Sequence, residues 1–256
     1  MKGFMAVFGK EIYVFLASPI FYVCAFIFLG LSGYFFYSNV AIFAVASFQA
    51  MQNPYMAQQL NLSNMVVSPT FGYMTIIMLI LIPLMAMRLF SEEKRSGTIE
   101  LLFTYPIRDM AVVLGKYLST VLVFAVMVAG TLPFMLFLAH IGSPDWGVIG
   151  SSYLGIMLLA GAFISFGMFA SSLTENQIIS AVISFGGLLM FWIVGWATTF
   201  TEGWAKGVFD YISVMSHFDN LSNGLVDSRD VIYYLLFILF FLFCTLRYLD
   251  SKKWRA

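Results

Sequence analysis

The chain has 256 residues, no formal net charge, 61% hydrophobic residues and a mean hydropathy of +0.91. Lys, Arg, Asp and Glu make up only 10% of it, less than half of the about 25% typical of a soluble domain. This composition excludes an ordinary soluble fold and leaves a membrane protein; zero net charge says nothing about nucleic acid by itself, but there is no basic tract of the kind a phosphate backbone needs.

Residues 1–18 come first. Phe4, Val7, Phe8, Ile12 and Phe15 recur at three- and four-residue steps, which predicts an amphipathic helix lying in the membrane interface. Ser18-Pro19 then breaks it. Six apolar stretches follow that are long enough to cross about 30 Å of hydrocarbon as helices, over 20–37, 71–90, 114–138, 147–171, 178–200 and 231–249. The expected fold is therefore an all-α polytopic membrane protein, one domain over 1–256.

Between the first two spans, residues 38–70 carry no charge but hold Gln49, Gln52, Asn53, Gln58, Gln59 and Asn61. They read as an external loop with short helices at the membrane face. A second external loop, 201–230, mixes Trp204, Phe209, Tyr211 and Phe218 with acids and glycines, which suits a helical hairpin at the interface. Pro83 and Pro133 are expected to kink spans two and three. Small residues four apart, such as Gly161/Ser165, Gly167/Ser171 and Ser180/Ser184, let helices approach closely within the chain. Cys24 and Cys244 fall inside apolar runs and read as buried hydrophobes. His140 and His217 read as interfacial packing.

Eleven of the thirteen Lys and Arg residues sit at the ends that share a side with the N-terminus; Lys206 and Arg229 are on the other. By the bias of basic residues toward cytoplasmic loops, both termini and the 91–113 loop are expected in the cytoplasm.

That 91–113 loop holds the densest charge in the chain, five charged residues between Glu92 and Glu100. Gly97 loosens the backbone after Arg95, Thr98 can cap a short helix, and Pro106 stops it. On such a helix Ile99, Leu102 and Phe103 form one apolar stripe beside Glu100. An apolar stripe flanked by an acid suits docking into a groove on a soluble partner. An ordinary solvated connection between spans fits the same pattern.

The string RLFSEEKRSGTIELLFTYPI (88–107) resembles the cytoplasmic loop of ABC-2 type transporter permeases. KEIYVFLASPIFY (10–22) is similar to that family's interfacial helix, FASSLTENQIISA (169–181) to its turn between spans four and five, and SHFDNLSNGLVDSRDVIYY (216–234) to the segment entering its last span. Within the family the chain resembles the gliding-motility-associated (GldF-like) permeases. The resemblance implies a type V exporter-like transmembrane subunit in the bacterial inner membrane, whose short coupling helix meets a separate ABC ATPase subunit. It implies a second permease-like chain, or a second copy, beside it. The residues it marks for coupling are Glu92, Glu93, Lys94, Arg95, Gly97, Thr98, Ile99, Glu100, Leu102, Phe103 and Pro106, with Glu175, Asn176 and Gln177 as a smaller second contact.

No Gly-x-x-x-x-Gly-Lys-Ser/Thr loop is present, since Gly115-Lys116 lacks both the upstream glycine and the following Ser or Thr. The chain is thus expected to be no enzyme and to hold no cofactor itself, with ATP and Mg on the partner ATPase. Membrane lipids surround it and nucleic acid plays no part. The alternative is a membrane anchor or force-transmitting subunit that moves no solute.

Overall fold

The computed structural model describes residues 2–51, 61–98, 108–200 and 202–253. Helix α1 covers Lys2–Ala17. Ser18 is extended, at φ −86° and ψ 128°, and Pro19 in the next first turn opens α2, Pro19–Ala50; proline tolerates that position because its missing N–H is unpaired there anyway. A π-helical turn at Ser63–Val67 leads into α3, Ser68–Ala86, and α4, Arg88–Arg95. Then come α5 (Asp109–Ala129), α6 (Leu132–Ile141), α7 (Trp146–Leu173) and α8 (Gln177–Phe200). Two short helices, α9 (Trp204–Ile212) and α10 (Val214–Ser222), precede α11, Ser228–Lys253.

Among the described residues there are helices and no strands. Six stretches are long and apolar enough to span a membrane: Pro19–Ala50, Ser63–Arg95, Asp109–Ile141, Trp146–Leu173, Gln177–Trp196 and Ser228–Ser251. The molecule is an all-α polytopic membrane protein, as its sequence predicts.

The spans differ in depth. The second and fourth have 78% and 72% of their apolar windows buried within the chain, against 28%, 17% and 28% for the first, fifth and sixth. So α3 and α7 form the centre and the other spans surround them. Close approach of α3 and α7 depends on Gly167, where an added Cβ would stand 2.7 Å from the Ala86 Cβ. Gly155 on α7 likewise admits Leu221 and Phe218 of α10, at 3.0 and 3.3 Å from the same imagined atom.

Two spans are interrupted. Pro83 lies inside α3, leaving the Leu79 carbonyl without its helical donor, and the helix breaks at Met87 before resuming as α4. Span three breaks at Gly130–Thr131 and restarts with Pro133 in the first turn of α6. There the Thr131 hydroxyl donates to the Val128 carbonyl at 2.6 Å and meets the Tyr153 hydroxyl at 2.9 Å. At the Gly130–Thr131 break a hydroxyl thus serves the backbone from within the bundle, as a low-dielectric setting favours.

Residues 38–50, expected in a loop, instead continue α2. No proline interrupts the sequence between Pro19 and Pro54. Asn39, just beyond the predicted span, is buried and donates to the Thr70 hydroxyl at 3.0 Å, tying α2 to α3. At 32 residues, α2 is about 48 Å long and outruns the hydrocarbon. Within the expected 201–230 loop, residues 204–222 do form a helical hairpin, α9 and α10, with Ser213 at the joint capping Ser216 N at 3.2 Å.

Helix α1 lies along the base of α5. Val7 packs on Gly115, whose imagined Cβ would be 3.0 Å from the valine methyl. The buried stripe of α1 is Val7, Glu11 and Phe15, while Phe4, Phe8 and Ile12 are only half-buried. An acid therefore sits in the middle of the face that was expected to be apolar.

Candidate functional site

Glu11 is buried because it meets charge. At the end of the bundle where α1 lies and α11 finishes, α1, α4 and the base of α5 converge on four charged side chains. Lys116 Nζ, with its side chain 2% exposed, lies 2.6 Å from Glu11 Oε1 and 3.0 Å from Glu93 Oε1. Lys10 Nζ closes the set, 3.0 Å from Glu93 Oε1 and 4.0 Å from Glu11 Oε1. Two cations and two anions alternate, so the group is neutral. That neutrality lets it survive away from water, where an unpaired charge would cost several kcal/mol. Burial would lower the Lys10 pKa, but the Glu93 and Glu11 carboxylates outweigh it and hold this ammonium above the usual lysine value.

The cluster is lodged among aromatic rings. Lys116 Nζ lies 5.4 Å from the Phe90 ring centre, and the Arg88 guanidinium 4.4 Å from that of Phe15. One terminal nitrogen of Arg88 and the Oε2 of Glu93 have no hydrogen-bond partner among the described residues. Both residues line a cleft of about 190 Å³ that also has Glu92, Ser96 and Thr98 on its wall.

Helix α4 is positioned by hydroxyls. Ser171 of α7 accepts from the Phe90 and Ser91 amides at 3.0 and 3.1 Å and donates to the Met87 carbonyl at 2.7 Å. A single side chain thereby repairs the break between α3 and α4. Lys94 donates to the Ser172 carbonyl and lies 4.9 Å from the Tyr248 ring centre. Tyr248 in turn donates to Leu173 O at 3.3 Å. The end of α7 is thus capped from α4 and from α11 together. Gly97, at φ +69°, ends α4 in the left-handed conformation that favours glycine, with its amide on Lys94 O at 3.1 Å.

The predicted coupling residues divide among several settings. Glu93 joins the buried cluster, Lys94 caps α7, and Glu92 and Arg95 are exposed on α4. Thr98 turns its hydroxyl back to Ser96, 2.8 Å away. Ile99, Glu100, Leu102, Phe103 and Pro106 lie outside the described residues. In the turn after α7, Glu175 is exposed and Asn176 caps α8, accepting from Ile178 N at 2.9 Å; Gln177 begins that helix. Helix α4 packs on α8 as well as on α7, so the 91–98 segment and the 175–177 turn share one end of the bundle.

Sequence reasoning missed Glu11 and Lys116. The sequence reading counts Lys116 only among the basic residues of the cytoplasmic side and gives Glu11 no role. The available signal was spacing. Glu11 sits four residues from both Val7 and Phe15, and Lys116 sits inside an apolar run where an ionisable group needs a partner.

An all-helical bundle with six stretches long and apolar enough to cross a membrane, and a charged, hydroxyl-stapled helix at one end, is a polytopic membrane protein. The chain belongs to the ABC-2 family transporter proteins, whose family model matches residues 5–248. It is accordingly a transmembrane subunit of the ABC transporter class, whose members work with an ABC ATPase subunit. No curated protein matches it.

Proposed function

We propose that this chain is the permease subunit that converts ATP binding and hydrolysis on a separate ATPase subunit into movement of its own spans. The observation that supports this reading is the joining of α1, α4, α5, α7 and α11 around Glu93 and Lys94. A force applied to the 91–113 loop reaches α3 through the chain itself. It reaches α1 and α5 through the Glu11–Lys116–Glu93–Lys10 cluster, and α7 through Lys94 and Ser171.

In this reading Ile99, Leu102 and Phe103 dock in the ATPase groove with Glu100 beside them, and Glu175, Asn176 and Gln177 make a smaller contact. The complex pairs two permease chains, alike or different, in a bacterial inner membrane. It works as an exporter of the kind found among gliding-motility-associated permeases. ATP and Mg reside on the ATPase.

Truncating Phe103 in the double variant Glu100→Lys/Phe103→Ala is expected to remove an interface anchor worth about 2 kcal/mol or more. Pull-down of the ATPase and complex-dependent turnover should fall together, while membrane insertion stays normal. A variant that keeps its partner and turns over at the wild-type rate would reduce this loop to a solvated connection. Vesicles holding the wild-type complex should show ATP-driven flux; turnover with no flux of any co-purifying lipid or amphiphile favours the force-transmitting anchor instead.

The same reading places both termini in the cytoplasm. In a background lacking Cys24 and Cys244, Met51→Cys and Trp204→Cys, at sites 82% and 86% exposed, should react with an impermeant thiol reagent in intact cells. Arg95→Cys should not react until the cells are opened. Labelling of position 95 from outside would invert the topology.

A further inference from the structure

The end of the bundle opposite the charged cluster holds a second polar group, and it is a closed one. The head of α11 grips the α9–α10 hairpin on both sides of its joint. Tyr233 donates to Ile212 O at 2.7 Å and Tyr234 to Val214 O at 2.8 Å. Asp230 takes Asn220 Nδ2 on one oxygen at 3.1 Å and the His217 Nδ1 on the other at 2.6 Å. The second ring nitrogen of His217, Nε2, faces the Tyr211 carbonyl at 3.2 Å. Tyr233 stacks on the imidazole at 4.1 Å between ring centres.

Both nitrogens of His217 therefore face acceptors, one a carboxylate and one a carbonyl. Only the imidazolium has two N–H groups to give. A neutral ring must point a lone pair at one of them. We propose that the far-end hairpin is a proton-operated latch, with His217 as the proton-binding residue that fastens α9 and α10 to the head of the last span.

The surroundings leave this role to His217. The Asp230 carboxylate on α11 bonds it directly, and Arg229 on that helix is exposed. From α9 come the Tyr211 carbonyl and ring, with Asp210 beside it in sequence. Burial pushes the Asp219 carboxyl on α10 itself up, toward its neutral form. Helix α8 has no titratable residue, α7 offers only Tyr153, which is bonded to Thr131, and α3 only Tyr73, stacked on Phe35.

The order of release follows from bond strengths. The Nδ1–carboxylate bond is short and charge-assisted, whereas the Nε2–carbonyl bond is long and goes to a neutral oxygen. Loss of the proton therefore frees Tyr211 first. None of the nine residues of α9 is buried, and Trp204 on it is 86% exposed. An element with so little buried surface opens easily once a tether goes. Helix α10 stays, because Val214, Phe218 and Leu221 are fully buried.

Hydrogen exchange over 204–212 in the purified full chain in lipid nanodiscs tests the latch, with rates corrected for the intrinsic chemistry of amide exchange. From about pH 5 to about pH 9, corrected opening should rise at least about tenfold, the loss of one charged hydrogen bond. In His217→Gln it should be fast and flat with pH. In histidine-labelled wild type, nitrogen resonances absent from His217→Gln should show both ring nitrogens protonated at the acid end. The same pH-dependent rise in His217→Gln overturns the proposal. So does a wild-type ring that is neutral at the acid end while 204–212 stays protected, a readout that needs no variant to fold.

Discussion

Replacing Lys116 by methionine should destabilise the end of the bundle that holds the charged cluster by about 3–5 kcal/mol, the cost of removing one partner from a buried ion pair. Shape is nearly conserved, so the loss is electrostatic. Glu11 and Glu93 would remain beside each other with only Lys10, itself half-exposed, to balance them. In a chain of this length the midpoint of thermal unfolding should fall by roughly 10 °C. The double variant Lys116→Met/Glu11→Gln should recover much of that loss, since Lys10 and Glu93 then form a balanced pair and no carboxylate is left unpaired. Thermal unfolding in nanodiscs, compared across the two singles and the double, measures this recovery. A double variant less stable than Lys116→Met would show that the charges of this cluster are not what holds α1 to α5.

Much of this architecture follows from local pattern. Each of the six spans is visible as an apolar run, because no other solvent tolerates twenty unbroken apolar residues. The helix before Pro19 follows from a three- and four-residue repeat, and its end from a proline that cannot extend it. What local pattern cannot supply is the partner of a polar residue. Asn39 looked like the start of a loop because its acceptor, Thr70, is 31 positions away. Lys116 counted only as a basic residue of the cytoplasmic side because Glu11 is 105 positions away. His217 and Asp230 were each visible, but whether a histidine packs or pairs depends on the return of α11 to the hairpin. The charged loop was conspicuous for its composition. Its attachment through Ser171 and Lys94 rests on contacts that no spacing rule encodes.

Gly167 carries the other large expected effect, because it sets how closely the two central spans meet. Adding one methyl there puts a Cβ 2.7 Å from the Ala86 Cβ, and neither atom can rotate away. Gly167→Ala must therefore push α3 from α7, at a cost of about 1–3 kcal/mol as for other overpacked cores. The displacement would also strain the neighbouring staple, in which Ser171 holds the Phe90 and Ser91 amides one turn further along α7. Gly167→Leu should go further and prevent the spans from assembling, leaving protein that inserts but is rapidly degraded. The exchange variant Gly167→Ala/Ala86→Gly restores the total volume at this crossing, so it should fold with most of the wild-type stability. If Gly167→Ala matches the wild type in thermal unfolding while the exchange variant does not, the glycine is not what allows spans two and four to touch.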